Sequence, residues 1–112
     1  MASIPLQRSK KLLEEDGWKV WRVEQWVPWP PPGHRLDMYN LMDLVAIKTT
    51  VNGVLGIQCC ADSGISAHVK KALENEYLSV WKGAGNGFRI WGWGKKGERG
   101  KRKVWTLREV VL

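Results

Sequence analysis

The sequence predicts an α/β domain with its elements in the order helix, strand, strand, strand, helix, strand, strand. Three observations carry that expectation. Residues 44–47 and 54–60 are two nearly continuous apolar runs, separated by a short segment ending in Asn52-Gly53. Asn-Gly between β-branched runs favours a hairpin, because both residues accept positive φ, and continuous apolar runs are typical of central strands covered on both faces. Helix signals stand on either side of this hairpin, around residues 3–17 and 66–81. A second pair of alternating runs, 88–93 and 104–111, closes the chain.

The elements follow in order. Ser3 is placed to cap the first helix, with Pro5 in its first turn and Leu6, Leu12 and Leu13 along one side. Gly17 supplies a C-terminal stop. The acidic run Glu14-Glu15-Asp16 is unfavourable beside a helix C-terminus, which prefers cations, so it marks either a functional carboxylate or a cheap surface mismatch. Residues 18–27 mix aromatic, β-branched and polar residues as one strand. Trp29-Pro30-Pro31-Pro32-Gly33 breaks regular structure, as a rigid binding loop or a spacer. Two readings of its tryptophans stay open: stacking on bases, or covering a core edge. Residues 33–40 lead into the central hairpin, with Arg35 and Asp37 just upstream of Asp43. Ser66 is the expected cap of a helix reaching about residue 81, with Val69, Leu73 and Tyr77 inward and His68 on its surface. Trp91, Trp93 and Trp105 are placed to pack together across the final hairpin.

Length and composition bound the function classes. A chain of 112 residues, 44% hydrophobic and 26% charged, is read as one globular domain over 1–112. No apolar run approaches the ~18 residues of a membrane span, and Gln7, Arg8, Lys10 and Lys11 interrupt any signal-peptide core. The expectation is a protein without membrane association, in an intracellular, cytoplasmic setting. Cys59 and Cys60 are adjacent, a spacing that disulfide geometry disfavours, so both are read as reduced small hydrophobes. With only His34 and His68 besides them, a structural zinc site is not expected.

The net charge of +7 is unevenly placed. Residues 1–62 hold seven Lys/Arg against seven Asp/Glu, and residues 63–112 hold eleven against four. Lys95, Lys96, Arg99, Lys101, Arg102 and Lys103 crowd one stretch opposed only by Glu98 and interrupted by Gly97 and Gly100. A flexible basic loop suits a polyanion, because each phosphate contact releases counterions. Nucleic acid is the expected partner, with a solvated loop kept soluble by its charge as the alternative. The opposite pull comes from Asp43, an acid entering an apolar strand. Burial of a carboxylate is costly unless it is paired or binds a metal, which makes Asp43 the leading candidate for function.

The element order, together with Asp43 and the strand carrying Gln58-Cys59-Cys60, resembles the PD-(D/E)XK nuclease superfamily, with its restriction-endonuclease-like fold. The likeness spans about residues 5–93, leaving the basic hairpin 88–112 as an addition. Within the superfamily the chain looks most like Holliday-junction-resolvase-type domains and small phage or prophage proteins. The resemblance implies a central mixed sheet flanked by helices. It also implies Mg²⁺ (or Mn²⁺) held by carboxylates, a lysine beside the scissile phosphate, DNA as substrate, and an assembly for which a homodimer stays open.

By that resemblance Asp43 matches the first acid of the motif. Gln58 stands where the second acid belongs, and Cys60 where the lysine belongs. Replacements are at hand: Lys70 or Lys71 for the lysine, and Glu14, Glu15 or Asp62 for the carboxylate. The expected DNA contacts are Arg35 and the six basic residues of the loop. The expected function is a Mg²⁺-dependent endonuclease, structure-selective in the manner of resolvases. The alternative is a non-catalytic nucleic-acid-binding module on the same fold, and a third class is a protein-interaction subunit using the Trp/Pro surface.

Overall fold

A computed structural model describes residues 3–112 of the chain. Its helices are α1 (Ile4–Glu15), α2 (Ile65–Leu73) and α3 (Glu76–Gly83), with a turn of 3-10 helix at Asp62–Gly64. Its strands are β1 (Lys19–Arg22), β2 (Gln25–Val27), β3 (His34–Leu36), β4 (Leu44–Lys48), β5 (Val51–Ala61), β6 (Gly87–Lys96) and β7 (Val104–Val111). Five strands form one mixed sheet in the order β1-β4-β5-β6-β7, and β2 and β3 form a separate antiparallel ribbon. The β5–β6 pair is parallel, bridged by the crossover through α2 and α3, and the other pairs are antiparallel. The expected α/β class, with a mixed sheet and helices, is therefore present.

Both faces of the sheet are covered. Leu55, Ile57 and Cys59 of β5 pack with Leu6 and Leu13 of α1. Cys60 of the same strand packs with Ile65, Ala72, Leu78 and Trp81 of α2 and α3. This two-sided burial is why β5 reads as a continuous apolar run rather than an alternating one. Each fully buried Ile57, Ile90 or Phe88 contributes on the order of 1.5–3 kcal/mol of transfer free energy. Close approach of the crossover needs Gly92, where an added methyl would overlap the Ile65 side chain and lie 3.0 Å from Asp62 Cα.

The first helix forms as its sequence predicts. Ser3 Oγ accepts from the Leu6 N–H at 3.3 Å and Pro5 sits in the first turn. At the other end Gly17 takes φ +91, the Gly17 N–H donates to Glu14 O, and the Trp18 N–H donates to Leu13 O. These bonds close the helix as a Schellman motif, with Trp18 and Leu13 in the same core cluster. Leu6 and Leu13 are buried, but Leu12 is exposed, and Ser9 takes the third inward position.

Several expectations about elements are corrected. The β4–β5 turn falls at Thr49-Thr50, with Lys48 facing Val51, so Asn52 and Gly53 lie within β5. Only Gly53 of that pair takes positive φ, at the register shift between Ala46 and Lys48, so the Asn-Gly signal marks an irregularity and not the turn. Residues 18–27 are two strands, because the Val23 and Glu24 N–H groups both donate to Asp43 O, at 2.9 and 3.3 Å, and turn the chain out of the sheet. Residues 34–36, read as a lead-in, are β3.

The helix expected over 66–81 breaks at Glu74-Asn75, where Asn75 Oδ1 accepts from the Tyr77 N–H at 2.8 Å and starts α3. The break resets the helical phase: Leu73 and Tyr77 are exposed, and Ile65, Ala72, Leu78 and Trp81 face inward. The cap of α2 is Gly64, without a side-chain bond, and Ser66 lies inside the helix. Lastly, Arg8 separates the hairpin tryptophans, its guanidinium 6.0 Å from the Trp93 ring and 4.7 Å from the Trp105 ring. Trp93 Nε1 donates instead to Ser9 Oγ at 2.9 Å, and Trp91 Nε1 to Glu109 Oε2 at 2.7 Å. Among the described residues no helix is long and apolar enough to cross a membrane.

The close approach at Gly92 gives a stability test. Gly92→Ala is expected to lose roughly 1–3 kcal/mol in chemical denaturation, the usual cost of overpacking. Gly83→Ala, where nothing lies within 4 Å of the added methyl, is expected to lose none. Equal effects of the two substitutions would show that the α2–β6 contact is not tight.

Candidate active site

Asp43 enters the sheet one residue before β4, opposite Gln58 of β5. Its N–H donates to Ile57 O at 2.9 Å, which continues the β4–β5 ladder past the Leu44–Ile57 pair. The side chain turns inward and Asp43 Oδ2 accepts two bonds, from Gln58 Nε2 at 2.9 Å and from the Cys59 N–H at 3.0 Å. Asp43 is 7% exposed and Gln58 8%. The two residues singled out on adjacent strands thus meet side chain to side chain.

Burial pushes the Asp43 carboxyl up to about 7. The Cys59 N–H opposes that rise, the Glu24 and Asp37 carboxylates add to it, and Arg35 opposes it. Near neutral pH the group therefore exists in comparable protonated and ionised forms. A carboxyl poised in that way is suited to exchange its proton for a cation or to move a proton.

Asp43 and Gln58 open into a cleft of about 310 Å³. From one side Glu24, Arg35 and Asp37 line it, brought there by the β2–β3 ribbon and its exits. The Glu24 side chain is 9% exposed and pairs with Arg35 at 3.0 Å. From the other side come His68 and Lys71 of α2, and the N-terminal end of α1 contributes Ser3 and Pro5. His68, expected on the helix surface, lies in the cleft, and its pKa is lowered by burial and by Lys71 against the pull of Asp37. It is a neutral imidazole at pH 7.

The other candidates separate by position. Lys71 reaches the cleft and Lys70 does not line it, because consecutive residues project about 100° apart around a helix. Glu14 and Glu15 stand exposed at the far end of α1, about 14 Å along the axis from Pro5, and do not line the cleft. Asp62 lies past the end of β5, where Lys96 holds it at 2.7 Å and keeps its pKa low. It does not line the cleft. Cys60, matched to the motif lysine only by the resemblance, lines the cleft, and its thiol is pushed up to about 11 by burial, then by Asp43 and Asp62. The Cys59 thiol is raised further by burial. Both are neutral thiols rather than nucleophiles at pH 7.

Glu24 is the site residue that the sequence reading passed over. It sat inside a segment taken as one strand, and its one signal was an acid in a run of aromatic and β-branched residues. Arg35 and Asp37, noted in the sequence just upstream of Asp43, both line its cleft.

The basic loop divides in two. Lys96 is committed to Asp62, and Lys95 lies 5.3 Å over the Trp105 ring. Lys101 pairs with Glu98 on the surface at 3.2 Å, which contributes little in solvent. Arg99, Arg102 and Lys103 have no ion-pair partner among the described residues. Because β6 runs parallel to β5, with Trp93 beside Ala61, its basic end projects past the end of β5 that carries the cleft.

Among the described residues no group of three or more His, Cys, Asp and Glu side chains is arranged to hold a metal ion. The oxygen-rich wall still suits Mg²⁺, which commonly takes one or two carboxylates and keeps several waters. The Asp43 pKa rises chiefly through burial, and the Glu24 and Asp37 carboxylates add to the rise. Comparison with protein-family models, with curated proteins and with solved structures finds no match to the chain.

Asp43 makes stability pH-dependent with a definite sign. Its folded pKa of about 7 lies above the ordinary 3.8, so the native state keeps a proton that the unfolded state releases. The stabilisation is full below about 3.8 and is lost as pH rises toward 7. Three units correspond to at most ~4 kcal/mol. Asp43→Asn removes the titration, so its stability relative to the parent chain is expected to rise between pH 4 and pH 8. A difference that stays flat across that range, measured by urea unfolding, would contradict burial as the cause.

Proposed function

We propose that this chain is a Mg²⁺-dependent endonuclease acting on DNA, on a sheet of restriction-endonuclease-like type. One observation carries the reading: a buried carboxyl raised to about 7 faces a cleft that gathers Glu24, Asp37 and Lys71, in a chain whose net charge is +7. Acids concentrated in the cleft of a cationic protein suit a cation held between protein and phosphate.

In this reading Asp43, the Gln58 amide and Glu24 or Asp37 hold the ion. When bound, the ion polarises the phosphodiester and lowers the pKa of an attacking water. Lys71 places positive charge beside the phosphate, the role that Cys60 cannot fill. His68, neutral at pH 7, accepts a proton at a ring nitrogen as water adds to phosphorus and the P–O ester bond breaks. Arg99, Arg102 and Lys103 grip the flanking backbone. A second reading, a DNA-binding module that does not cut, is favoured by Gln58 and Cys60 standing where an acid and a lysine would serve catalysis.

Nicking of branched and linear duplexes with Mg²⁺ or Mn²⁺ decides between them. Asp43→Asn and Glu24→Gln are expected to abolish cleavage with metal-free DNA affinity nearly intact, and Lys71→Ala to slow cleavage by roughly 10²–10³. Gln58→Glu with Cys60→Lys is expected to raise the rate. If neither the parent chain nor that double variant cuts any substrate while both still bind DNA, the binding-module reading replaces the nuclease.

The loop has its own test. Replacing Arg99, Arg102 and Lys103 with Ser is expected to reduce the log–log salt slope of DNA binding by about 2–3, at about 0.9 per lost phosphate contact. An unchanged slope would place the phosphate contacts elsewhere.

A further inference from the structure

The ribbon of β2 and β3 holds aromatic surface with no partner in the fold. Trp26 is 59% exposed and Trp29 74%, whereas Trp18, Trp81, Trp91 and Trp93 are buried in the core. The exposed pair therefore does not cover a core edge. Trp26 lies directly opposite Arg35 in the ribbon register, so the two side chains share one face. Arg35 lines the cleft, which turns that face toward Asp43.

The Trp26 ring also has a fixed backing. A methyl on Gly33 would come 2.6 Å from Trp26 Cζ2, so the ring rests on the Gly33 backbone, and Gly33 itself takes φ +90. The ring is held at Gly33 yet stays more than half exposed. Pro28, Pro30, Pro31 and Pro32 stiffen the connection, because proline fixes φ. Residues 25–36 contain no acid, and His34 and Arg35 are their only ionisable groups.

We propose that the β2–β3 ribbon is a stacking platform for an unpaired base of DNA, with Trp26 as the stacking ring and Arg35 beside the adjoining phosphate. This inference rests on the DNA-acting reading above and adds the substrate class: strands with unpaired bases next to the cleft, such as single strands and branch points. An exposed indole held in place suits any base, because every base has a π-face, and a pre-stiffened platform loses little entropy on binding. A paired base stays stacked in its duplex and offers no open face to the ring.

The test is equilibrium binding in EDTA, so that cleavage plays no part. The probes are a labelled 20-nucleotide single strand, its 20-base-pair duplex and a single strand of equal length built of abasic sites. The parent chain is expected to prefer the normal single strand over the abasic one by about tenfold. Trp26→Leu is expected to lose that preference while its duplex affinity changes less than twofold, and Trp26→Phe to retain most of it. The Phe variant and the abasic probe keep the test decisive should the Leu variant be destabilised. If DNA binds but the normal-to-abasic ratio does not depend on Trp26, the platform is refuted and the DNA-acting reading stands. If an RNA strand binds tighter than DNA with the same Trp26 dependence, the assignment to DNA is overturned. If the parent chain binds no nucleic acid at all, both readings fall.

Discussion

The site depends on a single buried carboxyl. Asp43 Oδ2 holds Gln58 Nε2 and the Cys59 N–H from β5, the Asp43 N–H continues the β4–β5 ladder, and its carbonyl accepts the Val23 and Glu24 N–H groups. One residue thus ties together β4, β5 and the corner where β1 gives way to the ribbon. That corner brings Glu24 into the cleft and sets the ribbon beside it. The tie is electrostatically expensive, since burial and two neighbouring carboxylates all raise the pKa. An apolar residue at the same place would avoid that cost. An acid whose surroundings oppose its charge is the feature on which the proposed function rests.

Charge is arranged in two zones at the same end of the sheet. Acids gather in the cleft, and cations gather on the β6–β7 hairpin that projects past it. Two of the hairpin cations already have structural duties. Lys96 neutralises Asp62 at the start of the crossover, and Lys95 shares Trp105 with Arg8 of α1. These contacts hold the base of the hairpin against the domain. The unpaired Arg99, Arg102 and Lys103 then extend from a fixed root, which suits contact with an extended polyanion alongside the cleft.

How much was legible in the sequence follows the range of the interactions involved. Short-range rules worked where they acted alone: Ser3 capping, the Gly17 stop, and the apolar runs of β4 and β5. Asp43 and Gln58 were singled out on adjacent strands by the resemblance, and their direct pairing follows from the Thr49-Thr50 turn and the register shift after Ala46. Expectations failed where a tertiary contact outweighed a local preference. Asn52-Gly53 yielded the turn to Thr49-Thr50, and the Asn75 cap broke a helix that apolar spacing alone would have continued. Glu24 was hidden because its place depends on a backbone bond to Asp43, which lies 19 positions later. The ribbon was hidden for a different reason: strands of three residues leave almost no periodicity to read. Lys71 and Lys70 were indistinguishable until the phase of α2 was set by Ile65 packing against Gly92.

The central claim is that Asp43 is an ionisable cleft carboxyl poised for a cation. Carbon-detected NMR titration of its side-chain carboxyl, with and without Mg²⁺, tests that most directly. The account predicts a midpoint near 7 without metal, and a downward move of more than one unit at saturating Mg²⁺, because a bound cation favours the ionised form. A midpoint near the ordinary 3.8, unmoved by Mg²⁺, would contradict it.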